Sequence, residues 1–185
     1  MARRDLAKRP AASGAVRDPL LVAWRTNNRV TCFLIEQLNA SLWSAPLPGE
    51  TRRTVRQLAA HLHNSRCGWL RTLGLPLGIP VPALVNLRRV TRRQLLVALR
   101  KSGAGMEALL ARGLAEGGRV PATKRYVWRN LPLDVAHVLT YFVAHEAHHR
   151  GQIVMVARQL GQRLPPETVH GLWLWSKRMT EDTRR

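Results

Sequence analysis

Apolar side chains recur every three or four residues along four long stretches of the chain, which is the spacing of amphipathic α-helices. The predicted helices run from residue 19 to about residue 42, from 51 or 54 to 74, from 91 to 117, and from 130 to 161. No stretch shows a convincing strand pattern, and only residues 120–128 have some β character. The pattern therefore predicts an all-α fold built from four helices.

Local signals indicate where these helices begin. Asp18 precedes Pro19, which places an N-cap before a first-turn proline. Thr91 is followed three residues later by Gln94, as in a capping box. Between the second and third helices, residues 75–82 are rich in proline and more numerous than a hairpin needs. We expect a long connection there.

The length and composition of the chain predict one domain. With 185 residues, 45% of them hydrophobic, the chain can bury a substantial apolar core. We assign residues 19–176 to this domain. Residues 1–18 lack apolar periodicity and predict a flexible basic tail, and residues 177–185 predict a charged C-terminal tail.

The chain carries no recognisable membrane or secretion signal. No apolar run approaches the ~18 residues needed to cross a bilayer, and Arg3 and Arg4 are not followed by the apolar segment of a signal peptide. Cys32 and Cys67 lie beside apolar residues within helical patterns, too few and too scattered for a disulfide framework. We expect a soluble cytoplasmic protein with reduced core thiols.

The fourth predicted helix carries a dense group of metal-ligating side chains: His145, Glu146, His148 and His149. At about 100° per residue, His145 and His149 lie at the edge and in the interior of the apolar face, whereas His148 projects to the side. Their i, i+4 spacing separates the Cβ atoms by about 5–6 Å, which suits two ligands of one ion. The alternative is one core imidazole hydrogen-bonded to another helix, with the others solvated.

A divalent ion such as Zn²⁺ needs at least a third protein ligand, which another helix has to supply. The second predicted helix offers His61 and His63. His61 lies at the edge of the inward stripe of this helix, whereas His63 points nearly the opposite way. The sequence therefore favours His61, together with His145 and His149, as the metal ligands. For His61 alone, a capped or buried structural imidazole is the alternative.

The charged neighbours of these histidines have two interpretations each. Glu146 could accept a hydrogen bond from the second ring nitrogen of a ligand or act as a general base. It could instead form an i, i+4 ion pair with Arg150. Arg66, near the inward stripe of the second helix, could contact an anionic substrate, or it could face solvent or a dimer partner.

Three segments resemble the DinB/YfiT superfamily of metal-binding four-helix bundles. They are His61 in its Ala-His-Leu setting, the helix-four run from His145 to Ile153, and the tail from Leu164 to Trp175. The similarity covers about residues 19–176. The resemblance implies an up-down-down-up bundle, frequent homodimers, and a zinc or nickel ion held by three histidines, here the histidines at 61, 145 and 149.

In superfamily members of known chemistry, the metal activates a thiol, as in thiol S-transferases and thiol-dependent isomerases. The resemblance thus implies a metalloenzyme that activates a water or a low-molecular-weight thiol for transfer or hydrolysis on a small-molecule substrate. Side chains from the other helices show no motif that would identify the substrate. Candidates for its pocket or for a dimer surface are Trp24, Asn28, Trp69, Trp128 and Trp173, although core packing explains each more simply.

The charge balance supports a different function. Lys and Arg number 30 against 11 Asp and Glu, a formal net charge of +19, and such a field attracts polyanions. The basic residues are spread along the whole chain, without zinc-finger spacing, an RNP-like strand or an evident recognition helix. The alternative is a basic nucleic-acid-associated module whose metal site is structural. Nonspecific nucleic-acid binding at low salt is compatible with either function.

Overall fold

The computed structural model describes residues 18–127 and 129–181, and in this part the chain is mostly helical, as the apolar periodicity predicts. The helices are α1 (Pro19–Gln37), α2 (Ala40–Ser44), α3 (Val55–Trp69), α4 (Arg92–Ala115), α5 (Val135–Gln159), α6 (Pro166–Gly171) and α7 (Trp175–Thr180). A π-helical turn (Leu70–Gly74) and a 3₁₀ turn (Leu75–Leu77) extend α3. Strands β1 (Pro46–Leu47) and β2 (Glu50–Thr54) form a short antiparallel ribbon.

Side-chain caps fix the starts of three long helices where the sequence predicts them. Asp18 caps α1 and accepts a hydrogen bond from the N–H of Leu20 at 2.8 Å. Of the two predicted starts for α3, the structure selects Thr54, which forms a capping box. Thr91 caps α4 in the same way. Each cap satisfies N–H groups that the first helical turn leaves without a partner.

The first helix is shorter than its apolar pattern predicts. The prediction that it reaches residue 42 is wrong, because α1 ends at Gln37 and Leu38 adopts an extended conformation with φ −71° and ψ 126°. Asn39 then caps α2 by accepting a hydrogen bond from the N–H of Leu42. Since an Asn side chain competes for backbone hydrogen bonds, it can interrupt a helix without disturbing the apolar spacing.

Two short paired strands lie in a segment for which the sequence predicts none. The ribbon of β1 and β2 occupies a segment predicted as a break and a helix start, with Pro46 opposite Thr54 and Leu47 opposite Glu50. Gly49 makes the turn at φ 76°, a conformation that glycine adopts without steric cost. Strands this short contain too few residues to show an alternating pattern.

The last long helix begins later than predicted. The predicted start at residue 130 is wrong, since α5 begins at Val135 after Asp134. Upstream, the Tyr126 hydroxyl donates to the carbonyl of Leu131 at 2.6 Å and accepts from its N–H at 3.1 Å. These bonds tie the backbone of Leu131 to the loop, and the N–H of Val135 donates to the carbonyl of Gly118 rather than to that of Leu131, which a helix through this segment would require. Residues 120–127 form no strand.

The four longest helices provide the main packing. Helices α1 and α3 each contact α4 and α5, α4 also contacts α5, and α7 packs along α1. Their apolar side chains form two buried clusters, one containing Ile35, Leu62 and Ile153 and the other Trp24 and Phe142. On α1, α3 and α5, buried polar side chains fall in sequence between the two clusters.

Parts of both predicted tails lie outside the described residues, as does Trp128. Lys177 and Arg178, at the start of the predicted C-terminal tail, belong to α7. The Arg178 side chain is buried, with its guanidinium 4.0 Å from the centroid of the Phe33 ring. No helix in the described part of the chain has both the length and the apolar character to cross a membrane.

Gly103 of α4 lies in close contact with α1. Trp24 Nε1 donates to its carbonyl at 2.8 Å, and an added Cβ would lie 2.6–2.8 Å from side-chain atoms of Asn28. Asn28 cannot move aside freely, because it is buried and accepts a hydrogen bond from Arg66. In urea denaturation we expect Gly103→Ala to lower the free energy of unfolding by about 1–3 kcal/mol.

The matched control for this substitution is Gly68→Ala. Gly68 is also helical, but no atom lies within 4 Å of its added Cβ. The alanine there should stabilise the protein by up to about 1 kcal/mol through helix propensity. If Gly103→Ala were equally well tolerated, the close α1–α4 approach described above would be wrong.

Candidate metal centre

Two helices bring three imidazoles together. His61 comes from α3, and His145 and His149 come from α5. One ring nitrogen of each lies within 4.8 Å of a ring nitrogen of the other two. The ring centroid of His61 lies 5.4 Å from that of His145 and 4.9 Å from that of His149. The segments that the sequence analysis singled out therefore meet in space.

The spacing of these nitrogens fits one divalent ion. The Nε2 atoms of His145 and His149 are 3.2 Å apart. Two nitrogen ligands of a tetrahedral ion, each at about 2.0–2.1 Å, lie roughly 3.3 Å from each other. Neutral imidazoles are also the donors that zinc, nickel and copper favour. The donor set and its geometry thus fit a first-row metal with three protein ligands.

The surroundings keep the three rings neutral. Burial, followed by the neighbouring His149 and His61, lowers the pKa of His145 to about 4. Burial is also the largest cause of the lowered pKa of His61 and of His149, and the nearby Arg53 lowers both further. A neutral imidazole has the free lone pair that a metal needs. The lowered pKa values therefore favour three unprotonated rings near neutral pH, the form that binds a metal.

The two remaining histidines of this helix lie on its exposed side, with the ring centroid of His148 5.1 Å from that of His149. His148 and His137 are both exposed, and for His148 this agrees with the helical projection. His137 lies near Asp134, with Nδ1 3.6 Å from its carboxylate. Among the described residues, neither joins the group that could hold an ion.

Gln152 orients one ligand, which the sequence analysis did not predict. Its Oε1 lies 2.7 Å from Nδ1 of His149. Because a carbonyl oxygen only accepts, this contact places the ring hydrogen on Nδ1 and leaves the Nε2 lone pair directed at His145. Its i, i+3 spacing from His149 was visible in the sequence, but one glutamine at that distance is an ordinary surface feature.

Removing this contact should weaken metal binding without removing a ligand. We expect Gln152→Ala to raise the dissociation constant for zinc by about 10–100-fold, as for other residues that orient ligands. Competition with a chromophoric chelator measures the change. Gln159→Ala, at the exposed C-terminal end of the same helix, is the matched control and should leave the constant unchanged. An unchanged constant in Gln152→Ala would show that His149 is oriented without it.

His63 does point away from the site, but it is buried rather than solvated. Its Nδ1 lies 3.0 Å from the Ser102 hydroxyl and its Nε2 3.0 Å from the carbonyl of Ala83. The long connection after α3 therefore covers the face of that helix opposite the metal site. Cys67 Sγ is 3.4 Å from the same Nε2. Cys67 and Cys32 are both free and buried, as the sequence predicts.

Arg66 and Glu146 form an ion pair inside the protein. Each side chain is only 1% exposed, and Arg66 Nε and Nη2 donate to the two carboxylate oxygens at 2.7 and 2.9 Å. The anion that Arg66 contacts in the structure is thus a carboxylate of the protein, and the burial of Arg66 disagrees with the alternative of a solvent-facing side chain. The remaining Nη1 donates to Asn28 and to the carbonyl of Leu99.

The remaining contacts of Glu146 come from α1 and α5. Asn27 and Thr31 donate to its Oε2 at 3.0 and 2.8 Å. The predicted i, i+4 pair with Arg150 is present, with Nη1 3.7 Å from the carboxylate. Burial alone would raise the pKa of Glu146, but Arg66 and Arg150 outweigh it and hold the pKa below the usual range. Within the described residues, this carboxylate has no hydrogen bond to the three clustered histidines.

Comparison with known proteins adds a family assignment. A protein-family model described as "DinB family" matches residues 15–182 of the sequence, and this span includes all three clustered histidines. No curated protein and no solved structure gives a significant match.

Proposed function

Since the chain belongs to the DinB family, we propose that it binds one divalent metal ion through His61, His145 and His149 and acts as a metalloenzyme on a small molecule. The observation that carries the proposal is the convergence of three ring nitrogens within 4.8 Å of one another. Zinc or nickel is the proposed ion, because both accept imidazole ligands. The finer arrangement proposed for the long helices is an up-down-down-up bundle that forms a homodimer in the cytoplasm.

The number of ligands favours catalysis over a structural role. Structural zinc sites are usually closed by four protein ligands, whereas catalytic sites keep a position open for water or substrate. Among the residues that the structure describes, the clustered donors number three, and each of their rings is partly exposed. A bound divalent ion supplies a Lewis acid, which lowers the pKa of a coordinated water or thiol and polarises a carbonyl. The proposed co-substrate is a low-molecular-weight thiol.

The protein residues have separate tasks in this proposal. The three histidines bind the ion, and Gln152 holds the ring of His149 in the ligating tautomer. Glu146 is assigned to helix packing rather than to proton transfer, since both of its oxygens accept hydrogen bonds and it is buried. Proton transfer to solvent from such a carboxylate would require the helices to separate.

Metal analysis tests the proposal first. Protein purified without a polyhistidine tag should contain about one equivalent of zinc or nickel, or take it up on reconstitution. The loaded protein should then transfer a small thiol to at least one member of a panel of electrophiles, with the metal-free protein inactive. A protein that takes up no metal is incompatible with the proposal. One that binds metal but unfolds on its removal points to a structural site.

The large positive charge should produce only weak, salt-sensitive binding to nucleic acid. Arg52, Arg56 and Arg88 border a cavity of about 250 Å³, and no salt bridge joins them to an acidic residue in the described part of the chain. Such sites bind phosphates without sequence preference. We expect binding to random duplex at 20 mM salt to weaken at least about 100-fold at 150 mM salt. Affinity retained at 150 mM would favour the nucleic-acid-associated module.

A further inference from the structure

Residues one helical turn apart along α3 lead from the candidate metal centre to a cavity of about 330 Å³. Ser65 lies one helical turn after His61, and Gly68 and Trp69 lie one turn further. Ser65, Gly68 and Trp69 all line the cavity, with Tyr126 from the loop before α5 on its other side. The cavity and a predicted metal ligand thus share one face of the same helix.

A row of aromatic rings connects this cavity with the other helix of the metal centre. The Trp69 ring lies 6.2 Å from that of Tyr126 and 5.5 Å from that of Tyr141. Tyr141 in turn stacks on His145, with centroids 6.2 Å apart and planes 11° from parallel. A row of aromatic rings, with each centroid within 6.2 Å of the next, therefore leads from the cavity wall to a predicted metal ligand.

One of the residues that line the cavity is a glycine, Gly68, which has no side chain to fill it. Gly68 is exposed, and a Cβ built there would have no atom within 4 Å. Because Gly68 lines the cavity, a larger side chain at this position would occupy space that is open in the structure. The charged side chain of the lining is Arg125, which disfavours a cationic ligand.

We propose that this cavity binds a planar aromatic or conjugated group of the substrate, neutral or anionic, while the reacting end of the same molecule reaches the metal. The inference rests on the proposed metal site and specifies the substrate class for it. Aromatic rings contact one another favourably at centroid separations of about 4.5–7 Å, the range in which the rings bordering the cavity lie.

Two hydroxamates that differ only in the attached group test the proposal. Acetohydroxamate and benzohydroxamate bind zinc through the same head group, and calorimetry on the zinc-loaded protein measures each affinity. We expect benzohydroxamate to bind at least about 10-fold more tightly. In Gly68→Leu, the added side chain should fill the cavity and reduce this preference to within about 2-fold, leaving acetohydroxamate affinity and zinc content unchanged.

Gly151→Leu is the matched control. Gly151 is also an exposed helical glycine with no atom within 4 Å of an added Cβ, but it does not line the cavity. It should keep the full preference for benzohydroxamate. Three results would overturn the aromatic site while leaving the proposed metal site intact. They are equal affinities for the two hydroxamates in the zinc-loaded wild type, a preference for benzohydroxamate that survives in Gly68→Leu, and loss of that preference in both variants. A protein that binds no zinc would overturn the proposed function and this inference with it.

Discussion

Glu146→Ala is expected to lower the free energy of unfolding of the metal-free protein by about 3–5 kcal/mol. The substitution leaves the Arg66 guanidinium buried without its carboxylate, and Arg66 is only 1% exposed. It also removes the acceptor for Asn27 and Thr31. Urea denaturation monitored by circular dichroism measures the loss.

The matched control for this variant is Glu107→Ala. Glu107 pairs with Arg25 at 2.6 Å, but both side chains are about one-third exposed, so the free energy of unfolding should fall by at most about 1 kcal/mol.

Glu146→Gln should keep zinc affinity within about 3-fold, because the carboxylate has no hydrogen bond to the clustered histidines among the described residues. A 100-fold loss of zinc affinity in Glu146→Gln would instead place this residue in the metal site.

His149→Ala is expected to raise the dissociation constant for zinc by about 100-fold or more. Zinc binding at sites with four ligands releases about 10–16 kcal/mol, so one imidazole accounts for roughly 3 kcal/mol, or about two orders of magnitude. The fold should survive, because the ring is only partly buried. Chelator competition gives the affinity, and thermal unfolding of the metal-free protein tests the fold.

The adjacent His148→Ala is the control for this experiment. His148 is exposed and lies outside the clustered group, so its loss should change zinc affinity by less than about 3-fold. Comparable losses in the two variants would mean that the ion is held on the outer surface of α5 rather than between α3 and α5.

Helical periodicity was sufficient to find the clustered histidines. The angular positions of His145 and His149 along one helix, and of His61 along another, depend only on the 100° step of an α-helix. The same 100° step also distinguishes the direction of His61 from that of His63. It could not show that His63 is buried, because the chain that covers it comes from the connection near Ala83, 20 residues away.

The roles of the charged residues depended on contacts between distant parts of the chain. Glu146 and Arg66 are 80 residues apart, and helical spacing alone could pair Glu146 only with Arg150. Trp69 is a similar case, since its place beside the cavity depends on the loop at Tyr126. The predicted end of α1 was wrong for a local reason. At Asn39 a side-chain hydrogen bond interrupts the helix, although the apolar pattern continues through this position.

The most direct test of three histidines sharing one ion is a crystal structure of the zinc-loaded protein, with anomalous data collected on both sides of the zinc absorption edge. We expect one anomalous peak about 2.0–2.1 Å from Nε2 of His145, Nε2 of His149 and a ring nitrogen of His61. Full-occupancy zinc located elsewhere, for instance at the exposed His148 or His137, with the three clustered rings uncoordinated, would contradict the assignment.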